Sequence, residues 1–131
     1  MIRKIYNQKR FKQPLLFEGL ESGKVSYTDV DFIREIDNKY LIIGEVKTRG
    51  TVVPIGQRLL IERLCDKNWK EAVAVIVEHT VPVEEDIQLK DTLVREYRFA
   101  NKEWVVIKTD EQKTFLEFTE ILRKVINTKK I

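Results

Sequence analysis

Cysteine is nearly missing from this chain: Cys65 is the only one among 131 residues. One thiol excludes an intrachain disulfide and a cysteine-rich zinc site. Long apolar runs are missing too. No stretch approaches the roughly 20 apolar residues of a membrane helix, and only Leu15-Leu16-Phe17 follows the basic start Met1-Ile2-Arg3-Lys4, so neither a membrane partner nor a signal peptide is expected. His79 is the single histidine, and at a strand end it reads as structural or solvent-facing, with no catalysis assigned. Internal repeats, low-complexity tracts and linkers are absent. What is present, 43% hydrophobic and 34% charged residues, describes one soluble domain over residues 1–131, expected in the cytoplasm.

The net charge of +3 does not by itself point to a nucleic-acid partner, but its distribution is uneven. Residues 1–13 carry Arg3, Lys4, Lys9, Arg10 and Lys12 with no acid, interleaved with Tyr6 and Phe11. Arg123, Lys124, Lys129 and Lys130 add positive charge at the other end, and Glu84-Glu85-Asp86 gathers negative charge in a loop. A basic stretch with aromatics can track phosphates and stack bases. It can equally be the solvated face of a short helix over residues 2–12, broken by Pro14.

The most informative segment runs from Tyr27 to Lys47. Tyr27 to Ile36 and Tyr40 to Lys47 are rich in β-branched and aromatic residues, with Asp37-Asn38-Lys39 as a turn between them. A hairpin centred on Asn38 pairs Asp31 with Glu45 and Asp29 with Lys47. Paired residues share a face, with Cβ atoms about 4.5–5.5 Å apart, so these polar groups would crowd together. Two such carboxylates can hold a hard cation. A register one residue different would separate Asp31 from Glu45. Glu45 and Lys47 also share a face, and a lysine there can orient an attacking water, meet a phosphoryl oxygen, or serve only as an ion-pair partner. Leu41-Ile42-Ile43-Gly44 is apolar on both faces, as in an inner strand, where charges are costly unless paired or metal-bound.

At Asp31, Glu45, Val46 and Lys47 the chain resembles the PD-(D/E)XK nuclease superfamily, over Thr28 to about Trp69. The spacing from Asp31 to Glu45 and the run Glu45-Val46-Lys47-Thr48-Arg49 are similar to small Holliday-junction-resolvase-like or phage-type members. The resemblance implies an α/β fold with a restriction-endonuclease-like αβββαβ core, a mixed β-sheet flanked by helices. It implies a Mg²⁺ or Mn²⁺ cofactor on Asp31, Glu45 and the Val46 carbonyl, with Lys47 as catalytic lysine. Asp29 is a second candidate for the family aspartate, and Thr28 stands where the family has proline. Superfamily members often add an acid from the region before the hairpin; Glu18 is that candidate, with Glu21 in reserve. Gln57, in the first turn of the following helix, matches a glutamine that holds water or phosphate. The implied partner is DNA, with RNA as the alternative. Cleavage would be structure-selective, and a homodimer would allow two cuts. A non-catalytic binding module on the same fold, or a structural protein whose charges form an ion-pair network, are the competing readings.

The remaining chain supports an α/β domain. Thr48-Arg49-Gly50-Thr51 forms a loop beside the site, where Arg49 either meets a phosphate or faces solvent. A helix is expected over Ile55 to Asn68, with Leu60, Ile61, Leu64 and Cys65 inward and Arg58, Glu62, Asp66 and Lys67 outward. Ala72 to Val77 reads as a buried strand, parallel to the one before the helix because a crossover joins them. Trp69 and Trp104 are boundary aromatics or base-stacking platforms. A core over about 15–80 is followed at about 92–128 by a second hairpin (92–99 and 103–107) and a terminal helix. Thr109-Asp110-Glu111-Gln112 has capping-box form and is expected to start that helix, with Phe115, Phe118, Ile121, Leu122, Val125 and Ile126 inward.

Overall fold

Antiparallel strands β1 (Phe32–Ile36) and β2 (Tyr40–Thr48) begin the computed structural model, which describes residues 30–126. Asp37 and Asn38 in their turn have φ of 53° and 59°, a left-handed conformation that Asp and Asn tolerate better than other residues with a Cβ. The Lys39 N–H closes the turn on Ile36 O at 2.9 Å, and the ladder runs from Ile36↔Tyr40 to Phe32↔Gly44. This is the register expected from a turn centred on Asn38. The proposed basic helix at 2–12 and the acids Glu18, Glu21 and Asp29 lie outside the described residues, as do Arg3, Lys4, Lys9, Arg10 and Lys12.

After helix α1 (Ile55–Cys65) the chain returns as β3 (Glu71–His79), parallel to β2 as the crossover requires. Strands β4 (Leu93–Phe99) and β5 (Val105–Val106) complete a five-stranded mixed sheet in the order β1-β2-β3-β4-β5, and helix α2 (Phe115–Ile126) follows. Both faces of β2 and β3 are covered, so each reads as a nearly unbroken apolar run. One face packs Ile42, Val73, Val75 and Val94 against Phe115, Phe118 and Leu122 of α2. The other packs Leu41, Ile43, Ala72, Ala74 and Ile76 against Ile61 and Cys65 of α1. Burial pushes the Cys65 thiol up to about 11, as befits a small core residue. The described residues thus form a single mixed α/β domain; no helix among them is long and apolar enough to cross a membrane.

Four sequence expectations are corrected. Helix α1 stops at Cys65, three residues early, because Asp66 turns to the sheet and takes two 2.7 Å hydrogen bonds from Arg98 and one from the Asn101 N–H. Arg58, Glu62 and Asp66 do not face outward: Arg58 pairs with Glu96 at 2.5 Å, Glu62 accepts from the Trp104 indole at 2.6 Å, and the Arg58 guanidinium lies over that ring. Strand β4 presents polar partners to α1, which a helical wheel drawn in isolation treats as solvent. Ile121 and Val125 are 42% and 64% exposed, so the buried stripe of α2 is narrower than expected.

The fourth correction concerns the start of α2. Thr109–Glu111 forms one 3₁₀ turn, and the capping box lies five residues later. Thr114 Oγ1 accepts from the Glu117 N–H at 3.2 Å, and Glu117 returns a carboxylate oxygen to the Thr114 N–H at 3.1 Å. Thr114→Ala is expected to cost about 1 kcal/mol in urea unfolding, a typical cap loss. An unchanged midpoint would mean that packing of Phe115 and Phe118 alone holds the helix start.

Candidate active site

The site lies at the C-terminal ends of the parallel pair β2–β3, where open α/β sheets leave a crevice for ligands. The β1–β2 ladder ends at Phe32↔Gly44, one position short of Asp31 and Glu45. The Asp31 side chain leans along the strand, and its Oδ2 accepts the Val46 N–H at 2.7 Å. In a continued ladder that donor would face Val30, so the carboxylate replaces a strand carbonyl and is held at the sheet end while remaining exposed. Glu45 is 2% exposed, on the α1 side of the sheet with Ile43. Lys47, two residues on, projects to the same side by strand alternation and is half-buried.

A cleft of about 520 Å³ opens here, lined by Asp31, Phe32, Val46, Lys47, Thr48, Thr51, His79, Ile87 and Leu89. Asp31 and Lys47 therefore share one solvent-filled space. Glu45, buried as it is, does not line it. Beside Lys47 in the parallel ladder stands Glu78, on the same face. Glu78 is occupied: Arg95 Nε donates to one carboxylate oxygen at 2.8 Å and Gln112 Nε2 to the other at 2.9 Å. Among the described residues Lys47 consequently makes no salt bridge, which weakens its reading as a structural ion-pair partner.

Gln57 sits in the first turn of α1, one turn before buried Ile61 and on the same side of the helix. Its Oε1 is buried with no hydrogen-bond partner among the described residues. Arg49 is tied into the sheet end: its N–H donates to His79 O at 2.9 Å and its guanidinium lies 3.9 Å from Glu78. His79 is a structural residue, its Nδ1 accepting the Val81 N–H at 3.0 Å. The other proposed nucleic-acid contacts, Arg3, Lys4, Lys9, Arg10 and Lys12, and the further acids Asp29 and Glu18, fall outside the described residues.

Glu78 and Arg95 are not singled out by the sequence, and Gln112 only as a member of the expected capping box. The one local signal was an acid at the end of an otherwise apolar strand, Val73 to Val77. Burial alone would raise the Glu78 carboxyl, but hydrogen bonds from Gln112 and Arg95, with the positive charges of Arg95 and Arg49, outweigh it and hold the group below the usual glutamate range. A depressed folded-state pKa stabilises the fold above the unfolded-state value, and that contribution disappears as pH falls through the folded one. Relative to Glu78→Gln, the wild type should therefore keep a constant stability advantage near neutral pH and lose it below about pH 4.3, the ordinary glutamate range. Denaturant midpoints from pH 3 to 7 for both proteins test this; a gap that widens in acid would reverse the sign.

Mg²⁺ is commonly held by one or two carboxylates, with waters and substrate phosphate completing its shell. Asp31 and Glu45 supply two carboxylates, and the Val46 carbonyl lies between them and Lys47 in sequence. Among the described residues no group of three or more His, Cys, Asp or Glu could hold a metal ion. No family model, curated protein or solved structure matches the chain.

Proposed function

We propose that this protein is a metal-dependent nuclease that hydrolyses phosphodiester bonds, with DNA as its substrate and a restriction-endonuclease-like core. The observation that carries this reading is the register of the first hairpin. It brings Asp31, held by the Val46 N–H, to the end of the strand that carries buried Glu45 and half-buried Lys47. Asp31, Glu45 and the Val46 carbonyl would hold Mg²⁺ or Mn²⁺, which when bound acidifies water and neutralises charge on the phosphate. Lys47 donates to the attacking water or to a non-bridging phosphate oxygen, where charge grows in the transition state. Its freedom from Glu78 leaves the ammonium available for that role. Gln57 presents a buried amide oxygen that can accept from a positioned water. The first two strands and α1 agree with the later part of an αβββαβ core.

The test is cleavage of single-stranded, duplex, flap and four-way-junction DNA, and of an RNA strand, with Mg²⁺, Mn²⁺ or EDTA. Metal-dependent cutting supports the reading, and the preferred substrate identifies any structure selectivity. Binding without cutting under every condition, from folded protein, would replace it with a non-catalytic binding module.

A further inference from the structure

The β2–α1 connection is braced from across the sheet by Arg95. Arg95 on β4 donates from Nε to Glu78 at 2.8 Å, and from its two terminal nitrogens to Thr51 O at 2.6 Å and Thr48 O at 3.4 Å. The loop's other ties are the Arg49 N–H to His79 O at 2.9 Å, the Arg49 guanidinium 3.9 Å from Glu78, and the Thr51 N–H to Thr48 O at 3.0 Å, with Gly50 making the turn at φ 83°. Arg95 reaches this place because of a β-bulge. The register shifts between Ile76↔Glu96 and Val77↔Val94, leaving Arg95 as the extra residue, so that Arg95 and Glu96 both serve the α1 side of the sheet. A planar guanidinium can span a carboxylate and two carbonyls at once, whereas a lysine ammonium is a single point.

The clamped loop begins immediately after Lys47 and leads into the helix that carries Gln57. Its Thr48 and Thr51 line the cleft with Asp31 and Lys47. We infer that Arg95 is a positioning residue for the reaction, an inference that rests on the nuclease reading. It acts through the loop: fixing Thr48–Thr51 sets the cleft wall and the direction from which Lys47 reaches the phosphate. Glu78, itself held by Gln112, keeps the guanidinium in the orientation that aims two N–H groups at the loop carbonyls.

Full-length wild type, Arg95→Lys and Arg95→Ala test this through cleavage kinetics and amide hydrogen exchange at Gly50 and Thr51, at a temperature where circular dichroism shows each folded. Small displacements at an active site can cost about 100-fold in rate, so kcat should fall roughly tenfold in Arg95→Lys and roughly 100-fold in Arg95→Ala. KM should change by less than about threefold, because ground-state binding is not what the loop sets. Loop exchange should quicken in the same order, and millimolar guanidinium should restore part of the kcat of Arg95→Ala. Wild-type kcat with wild-type loop exchange in Arg95→Ala would overturn the inference. So would a kcat loss that only tracks the unfolded fraction and shows no guanidinium rescue. If the wild type cuts nothing, the nuclease reading falls and takes the catalytic role of Arg95 with it; faster loop exchange in Arg95→Ala would then show separately that the clamp itself stands.

Discussion

Asp31→Asn is expected to abolish metal-dependent cleavage while leaving the fold intact. Asparagine keeps an oxygen that can accept the Val46 N–H, the contact that orients Asp31, and removes only the charge. The residue is exposed, so no buried group is stranded by the change. Loss of activity is then attributable to the carboxylate as a ligand rather than to a distorted strand. Lys47→Ala should act on the same step, lowering kcat by roughly 10²–10⁴-fold, the usual range for a side chain that assists proton transfer. Since Lys47 makes no salt bridge among the described residues, its removal should leave thermal stability nearly unchanged. Glu45→Gln completes the set, but at 2% exposure that site requires a folding control. Full activity in purified Asp31→Asn and Glu45→Gln would eliminate the assignment. Loss of cutting together with retained DNA binding would establish it, because binding through other cations does not need these acids.

The second large effect is on stability. A methyl group at Gly44 would press into the Phe32 ring and lie 2.5 Å from the Val75 carbonyl oxygen. Phe32 is opposite Gly44 in the β1–β2 ladder and packs on Phe115 with ring centroids 5.2 Å apart; its half-buried ring also lines the cleft, so the backbone carbonyl is the harder obstacle. The carbonyl belongs to the backbone of β3 and can move only if the strands part. Overpacking of a well-filled core costs about 1–3 kcal/mol and occasionally more, and Gly44→Ala is expected at or above the top of that range. Urea unfolding of the variant against wild type measures it. A loss under about 0.5 kcal/mol, the range of ordinary surface changes, would show that the sheet opens there with ease.

Much of the site was legible because its residues are close in sequence. The Asp37-Asn38 turn and the alternation on either side leave one register that buries Ile36, Tyr40 and Ile42 together, and that register brings Asp31 to the Val46 N–H at the end of β2. The buried β3 strand and its parallel partnership with β2 were readable for a similar reason: a crossover helix of this length leaves few ways to return. By contrast, the outward assignment of Arg58, Glu62 and Asp66 failed because their partners, Glu96, Trp104 and Arg98, come from a hairpin about 30 or more residues away. A helix pattern records which residues are polar, not whether the polar partner is water or another strand.

Two further features depended on the fold alone. Thr109-x-x-Gln112 and Thr114-x-x-Glu117 are both capping boxes by sequence, and local pattern ranks neither first. The choice is made where residues 113–115 pair with β4: Lys113 O accepts from Val94 N, and Phe115 N donates to Thr92 O. These bonds hold the chain extended until Thr114, so the helix can begin only there. The bulge at Arg95 is likewise a matter of how β4 meets β3, since Leu93 to Phe99 shows no break in its own sequence. The register of the first hairpin could be read from the residues alone, because turn chemistry and two-residue alternation act over a few positions. The reach of Arg95 to Glu78 and the Thr48–Thr51 loop could not be read that way, because it depends on register between strands whose residues are far apart along the chain.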